Sequence, residues 1–166
     1  MQERVDKYRY LVWIMLPEEI AEKINSLRTK SQPQAVRNGN PPHITVHKAF
    51  ILTKPDACLE KIKELLYSYQ NLRLRTLGPK IFPGLTGYLY LQVAPNLRLN
   101  KLNREISRVV GVSVPNPYKP HVTIAKLPRK NIRATQRYLA NFETQFSFTA
   151  QGPFLLRLNG SGPEII

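Results

Sequence analysis

Two hydrophobic rhythms alternate along the chain. Apolar, β-rich runs occur at YLVWIML (10–16) and GYLYLQV (87–93). After each run the apolar residues recur every three or four positions, the helical spacing. The first stripe is Ile20, Ile24 and Leu27; the second is Leu99, Leu102, Ile106 and Val109 or Val110. Pro17 and Pro95 break the strands and open these helices. Loops rich in Pro, Asn and Gly follow (SQPQAVRNGNPP at 31–42, GVSVPNPYKP at 111–120), and a β-branched strand comes after each. Further helices are predicted over 55–70 and 131–142, with alternating strands at 71–78, 144–150 and 153–159.

These segments are two copies of one unit. YKPHVTIAK at 118–126 echoes NPPHITVHK at 40–48, with His121 seventy-eight residues after His43. The same offset lays Tyr10 and Leu11 on Tyr88 and Leu89, and Pro17 on Pro95. The repeat runs from about 10 to 48 and from 88 to 126 without a gap. The expected fold is α+β: two pseudo-symmetric lobes, each a strand-helix-strand unit, with antiparallel sheets lining a central cleft and helices outside. No Gly/Ser linker divides the halves, so residues 1–166 are expected to form a single bilobal domain.

Composition narrows the partners. No apolar run reaches the roughly 18 residues of a membrane span, and YLVWIML, behind the charged segment QERVDKYR, suits a core strand better than a signal peptide. Cys58 is the single cysteine, so no internal disulfide forms, and a cytoplasmic location fits. The formal net charge is +14. Ten basic residues stand against Glu105 alone between Leu97 and Ala140. Such a balance favours a polyanionic partner, nucleic acid before an anionic membrane surface.

The two β-branched strands carry the candidate chemistry. In a strand, residues two apart share a face, so His43 points with Thr45 and His121 with Thr123. Ile44, Val46, Val122 and Ile124 take the other face. If the pseudo-twofold brings the strands together, two His-Thr pairs meet in one cleft. That set suits phosphoryl transfer without metal. One neutral imidazole takes a proton from the nucleophile while one imidazolium gives a proton to the leaving oxygen. The threonine hydroxyls can donate to the non-bridging oxygens as charge develops there. The competing reading is a pair of duplicated structural strands with core histidines.

HITV and HVTI, some eighty residues apart in a duplicated chain, resemble the paired H-x-[T/S]-x motifs of the 2H phosphoesterase superfamily. The closest resemblance is to its 2′-5′ RNA ligase and RNA 2′,3′-cyclic phosphodiesterase branch. The LP after the first strand, the FP before GYLYLQV and KPHVTIAKL resemble it too. The resemblance implies two lobes around a basic cleft, no cofactor and no metal, and catalytic roles for His43, Thr45, His121 and Thr123. It implies opening of RNA 2′,3′-cyclic phosphate ends to 2′-phosphates, or reversible ATP-independent joining of RNA ends through a 2′-5′ linkage. For hydrolysis it favours His121 activating the nucleophile and His43 protonating the leaving group. The expected partners are RNA ends or nucleoside 2′,3′-cyclic phosphates, met by a monomer. A non-catalytic RNA-binding module on the same fold is the alternative of another class.

Several residues stand beside this core. Lys126, Tyr118 and Lys48 are candidate substrate contacts. Lys48 and Lys126 recur in both copies but fall on the opposite strand parity from the His-Thr pairs. Tyr118 could stack on a base or pack its loop. His47 would share the face of His43 in a regular strand, as a partly exposed neighbour at the cleft edge. It lacks the helical setting and further ligands of a zinc pair. Arg73 and Arg75 alternate on one strand face, where they could line a phosphate track or face water.

Overall fold

The computed structural model describes residues 8–31, 39–52, 55–82, 86–113 and 118–166. Parts of the two proline-rich loops, 32–38 and 114–117, fall outside these residues, as does the segment before Tyr8. The elements run β1 (Arg9–Met15), α1 (Glu18–Ser31), β2 (His43–Ile51), α2 (Pro55–Tyr67), β3 (Arg73–Phe82), β4 (Thr86–Val93), α3 (Leu97–Val110), β5 (His121–Pro128), α4 (Arg129–Leu139), β6 (Ser147–Thr149), β7 (Gln151–Asn159) and β8 (Gly162–Ile165). The two halves keep the repeat offset closely: α1 and α3 are each 14 residues long.

One antiparallel sheet, rather than two, runs through both halves in the order β6-β3-β4-β5-β2-β1-β7-β8. The first four strands and the last four mirror one another about the β5–β2 seam. That seam is thin, because the ladder there has a single register pair, Ile44 with Val122. Other contacts hold the halves together. Helix α1 packs on β5 and α3 packs on β2, each helix crossing to the strand of the other half. This exchange explains why no linker separates the repeats.

The helices cover one face of the sheet. Val12, Ile14, Ile44, Val46, Leu89, Leu91, Val122 and Ile124 meet Ile24, Leu27, Leu99, Leu102 and Ile106 there, in one core. The sequence stripes thus land on the buried face, as amphipathic helices on a half-buried sheet require. Asn96 caps α3, its side chain accepting from the Leu99 N–H at 2.9 Å. Gly111, at φ 69°, ends the helix in the left-handed conformation, its N–H turned back to the Arg108 carbonyl. The opposite face is mostly uncovered. It carries a smaller apolar cluster of Leu11, Trp13 and Leu156 with Met15, Phe154 and Leu158. No helix among the described residues is long and apolar enough to cross a membrane.

Candidate functional site

The two His-Thr pairs lie on the uncovered face, at the seam where the halves join. Strands β2 and β5 run antiparallel with Ile44 opposite Val122. One step to either side, the register sets His43 beside Thr123 and Thr45 beside His121. Ile44 and Val122 are fully buried on the helix face, while all four His and Thr side chains are half-buried on the other.

Each imidazole is held in the same way. His43 Nδ1 lies 2.7 Å from the Pro41 carbonyl and His121 Nδ1 lies 2.8 Å from the Lys119 carbonyl, in both cases two residues back. A carbonyl oxygen only accepts, so Nδ1 carries the proton in both rings. The second nitrogen, Nε2, is left as the exchanging atom, a lone pair when neutral and a donor when charged. The repeat has therefore conserved tautomer as well as residue type.

The surroundings of the two rings differ. Trp13, placed opposite Thr45 on β1, stacks on His43 with centroids 3.6 Å apart and planes 12° from parallel. His121 meets two ring edges instead, Phe82 at 4.9 Å and Tyr90 at 5.2 Å. Burial pushes the His43 imidazole down to about 4, against the opposing pull of its bond to Pro41. The positive charges of Arg28 and His121 add to the lowering. His43 is therefore neutral at pH 7.

Arg28 is the feature that sequence reasoning missed. It sits in the last turn of α1, is 9% exposed, and pairs with no carboxylate among the described residues. Its Nε and Nη2 donate to the Thr123 carbonyl at 3.2 and 3.1 Å, and its Nη1 donates to the Asn40 carbonyl at 2.8 Å. One guanidinium thus ties the second motif strand to the loop that delivers His43. Tyr118 makes the reciprocal tie, its hydroxyl donating to the Thr45 carbonyl at 2.8 Å. Asn103 Nδ2, from α3, donates to the Val46 carbonyl at 2.7 Å. Where the backbone ladder stops after one pair, side chains from the opposite half take over its carbonyls. A signal was available: Arg28 follows Leu27 on the stripe of Ile20 and Ile24, where a helix expects another hydrophobe.

Two expectations change. His47 was placed on the face of His43, but β2 does not stay regular. Trp13 pairs with Thr45 while the next residue back, Val12, pairs with His47, so Val46 is the extra residue of a bulge. The bulge turns His47 to the helix-covered face, where it is 6% exposed, edge-on to Phe50 and bonded through Nδ1 to the Lys48 carbonyl. It is nearly fully buried rather than partly exposed, and it lines one cavity with Thr45 and His121. The same bulge recurs in β5, where Tyr90 pairs with Thr123 and Leu89 with Ala125. It reverses the parity predicted for the lysines. Lys126, opposite Tyr88, shares the face of Thr123, and its Nζ stands 5.5 Å over the Tyr88 ring. Lys48 is likewise exposed, and it borders a cavity of about 220 Å³ with Thr45, Tyr118 and His121. The Tyr118 ring packs against the core, and burial pushes its phenol upward. Among the described residues, no three His, Cys, Asp or Glu side chains converge as a metal site would require.

Comparison with known proteins agrees with this architecture. A family model described as the 2′-5′ RNA ligase superfamily matches residues 16–162. No curated protein sequence matches significantly. Among solved structures, Escherichia coli LigT in its apo form superposes with a TM-score of 0.61 at 16% identity, covering 96% of this chain and 94% of that one. Usb1 of Kluyveromyces marxianus superposes with a TM-score of 0.58 at 11% identity, covering 97% and 98%. LigT has also been solved with 3′-AMP (TM-score 0.58, 17% identity, coverage 96% and 94%).

Proposed function

The chain belongs to the 2′-5′ RNA ligase superfamily, and from that premise we propose that it is an RNA-end phosphodiesterase acting on 2′,3′-cyclic phosphates. The observation that carries the reading is the seam itself. Two imidazoles with matched tautomers and two threonine hydroxyls converge from duplicated strands onto one open, basic face.

The step is hydrolysis of a strained five-membered ring. Water attacks phosphorus, and a neutral Nε2 takes its proton. The bond from phosphorus to the 3′ oxygen breaks, and the other imidazolium protonates that oxygen, leaving a 2′-phosphate. Thr45 and Thr123 donate to the non-bridging oxygens, whose charge grows in the transition state. Ring strain drives the reaction, so neither a nucleotide nor a metal is required. With an RNA 5′-hydroxyl in place of water, the same groups join two ends through a 2′-5′ linkage.

The electrostatics favour the reverse of the acid-base order that family resemblance suggests. A group held neutral at pH 7 is a base in waiting, so His43 activates the nucleophile and His121 protonates the leaving oxygen. The pH profile of kcat/KM has the same shape for both orders, because either way one imidazole must be neutral and the other charged. A substrate with sulfur in place of the 3′ oxygen separates them, since a thiolate leaves without a proton. With His121 as acid, His121→Ala regains most of its lost rate on that substrate and His43→Ala does not; the opposite pattern would make His43 the acid.

The founding test is hydrolysis of a cyclic-ended oligonucleotide in EDTA. Turnover is expected in the parent, with losses of about 10²–10⁴-fold in His43→Ala and His121→Ala, the usual contribution of a positioned acid or base. Inclusion of a 5′-hydroxyl RNA tells hydrolysis from ligation by product. Loss of turnover in EDTA would remove the metal-free mechanism. Salt-dependent RNA binding without turnover of any kind would leave a binding module.

A further inference from the structure

We infer that Arg73, Arg75, Ser147 and Thr149 form a second phosphate-binding subsite, which holds the RNA strand upstream of its reacting end. The inference rests on the RNA-end reading above and adds that the substrate is an oligonucleotide rather than a mononucleotide.

The register builds the subsite. Arg73 lies opposite Thr149 and Arg75 opposite Ser147, on adjacent antiparallel strands. Directly opposite residues share a face, so two guanidiniums and two hydroxyls make a block of four donors. All four residues are exposed, while Leu74 between the arginines is buried in the core. The block borders a cavity of about 620 Å³, whose far wall is Ala94, Pro95 and Asn96. No carboxylate lines it, and neither guanidinium has an ion-pair or hydrogen-bond partner among the described residues. The wall is fixed in place: the Ala94 N–H donates to the Arg75 carbonyl at 2.8 Å, and Asn96 Nδ2 donates to the Arg73 carbonyl at 3.1 Å. Helix α3 begins at this wall with no acidic residue in its first turn, so its positive end is unopposed.

The block shares a face with the His-Thr pairs. Gln92 lies opposite His121. Val93, next along, is buried on the helix face opposite Thr76, which is buried too. Arg75, one residue before Thr76, therefore stands on the side of Gln92 and His121. Strand β3 is two strands from β5, about 10 Å away. A second cavity of about 400 Å³ bridges the gap, bordered by Tyr90, Gln92, Lys119 and Pro95. Tyr90 touches His121, and Pro95 walls the arginine cavity as well. A strand whose end sits at His121 can cross Gln92 and lay a neighbouring phosphate on the arginines. Guanidiniums match phosphate geometry, and hydroxyls complete its donor set. The position beside the reaction centre favours RNA over an anionic membrane.

The test uses the full chain with Arg73→Ala/Arg75→Ala, and Ser147→Ala/Thr149→Ala as an independent variant. KM is measured on cyclic-ended oligoribonucleotides of increasing length. In the parent, KM is expected to fall as the chain lengthens; in the arginine variant that gain is expected to shrink at least tenfold. Binding of a 2′-phosphate-ended oligonucleotide is followed against salt. The slope is expected to fall by about 0.7 in the arginine variant, the value for one phosphate contact on a single strand. Unchanged length dependence and salt slope in a folded variant would overturn the subsite while leaving the phosphodiesterase reading intact. If the parent turns over no substrate, that reading fails, and the salt slope alone decides the subsite. Lost binding to phosphatidylserine vesicles with unchanged RNA binding would overturn it in favour of a lipid surface.

Discussion

Replacing Arg28 tests most directly how the two halves are held in register. Its Nε and Nη2 donate to the carbonyl of half-buried Thr123, and its Nη1 donates to that of Asn40, an exposed residue. Arg28→Met keeps the apolar stem of the side chain and removes every donor. The stranded Thr123 carbonyl costs about 1–3 kcal/mol, while water can serve the Asn40 carbonyl. Removing a desolvated, carboxylate-free cation offsets part of this. The loss of donors wins, because the Thr123 carbonyl sits at a seam with a single ladder pair. The expected destabilisation is about 1–2 kcal/mol, or roughly 3–6 °C in Tm for a chain of this size. Activity should fall further than stability. A shift of about 1 Å between reacting groups costs on the order of 100-fold in rate, and Arg28 sets the spacing of the elements that carry His43 and Thr123. The charge has a separate signature. Arg28 helps to depress the His43 imidazole, after burial, so its loss moves the acid limb of kcat/KM to higher pH. Arg28→Lys keeps the charge and at most part of the bonding. It should leave the acid limb in place while losing rate. The assays are thermal unfolding at pH 7.5 and pH-rate profiles of both variants. A Met variant with parental Tm and an unshifted acid limb would refute the reasoning.

Three further outcomes follow from the site. His43 is depressed to about 4 in the folded chain against an ordinary 6.5, and His47 is lowered by burial, so the unfolded chain binds more protons between those values. Stability should be full above pH 6.5 and decline as the pH falls towards 4, as urea unfolding at pH 7.5 and 4.5 would show; equal midpoints would contradict the burial of these rings. Trp13→Ala removes the ring stacked on His43 and opens that face to water. The His43 titration midpoint, followed by proton NMR, should rise from about 4 towards 6.5, with a stability loss of about 3 kcal/mol. Tyr118→Phe keeps an aromatic ring but strands the Thr45 carbonyl, so it should cost about 1 kcal/mol and lower kcat. If KM rises instead and kcat holds, Tyr118 acts on the substrate and not on the strand.

The sequence by itself determined the parts whose information is local. Pro17, Pro95 and the two apolar stripes sufficed to mark the strand-helix-strand units, because strand and helix periods show in neighbouring residues. The offset between His43 and His121 was enough to pair the motifs across the chain. Period two was enough to set each histidine with its own threonine. Local pattern failed where one residue changes the register. The bulges at Val46 and Ile124 turn His47 to the helix-covered face and carry Lys126 to the open face. Nothing in HITVHK marks which residue is the extra one, since a bulge is chosen by the partner strand. The strand expected at 144–150 is there but spans only Ser147–Thr149, and the closing β8 was missed. A four-residue edge strand has too few positions to show a period.

Only the tertiary structure decided how the halves meet. It made one sheet where two were expected, and it sent each helix across to the strand of the other half. It also gave the two imidazoles different surroundings, with Trp13 flat on one and ring edges against the other. Arg28 shows the reason most plainly. Its residue type was visible on the α1 stripe, but its meaning lies in a carbonyl ninety-five residues away. Hydrogen bonds and desolvation depend on what folding brings within a few ångströms. The pattern along the chain records which face a residue takes, and the fold alone determines what it meets there.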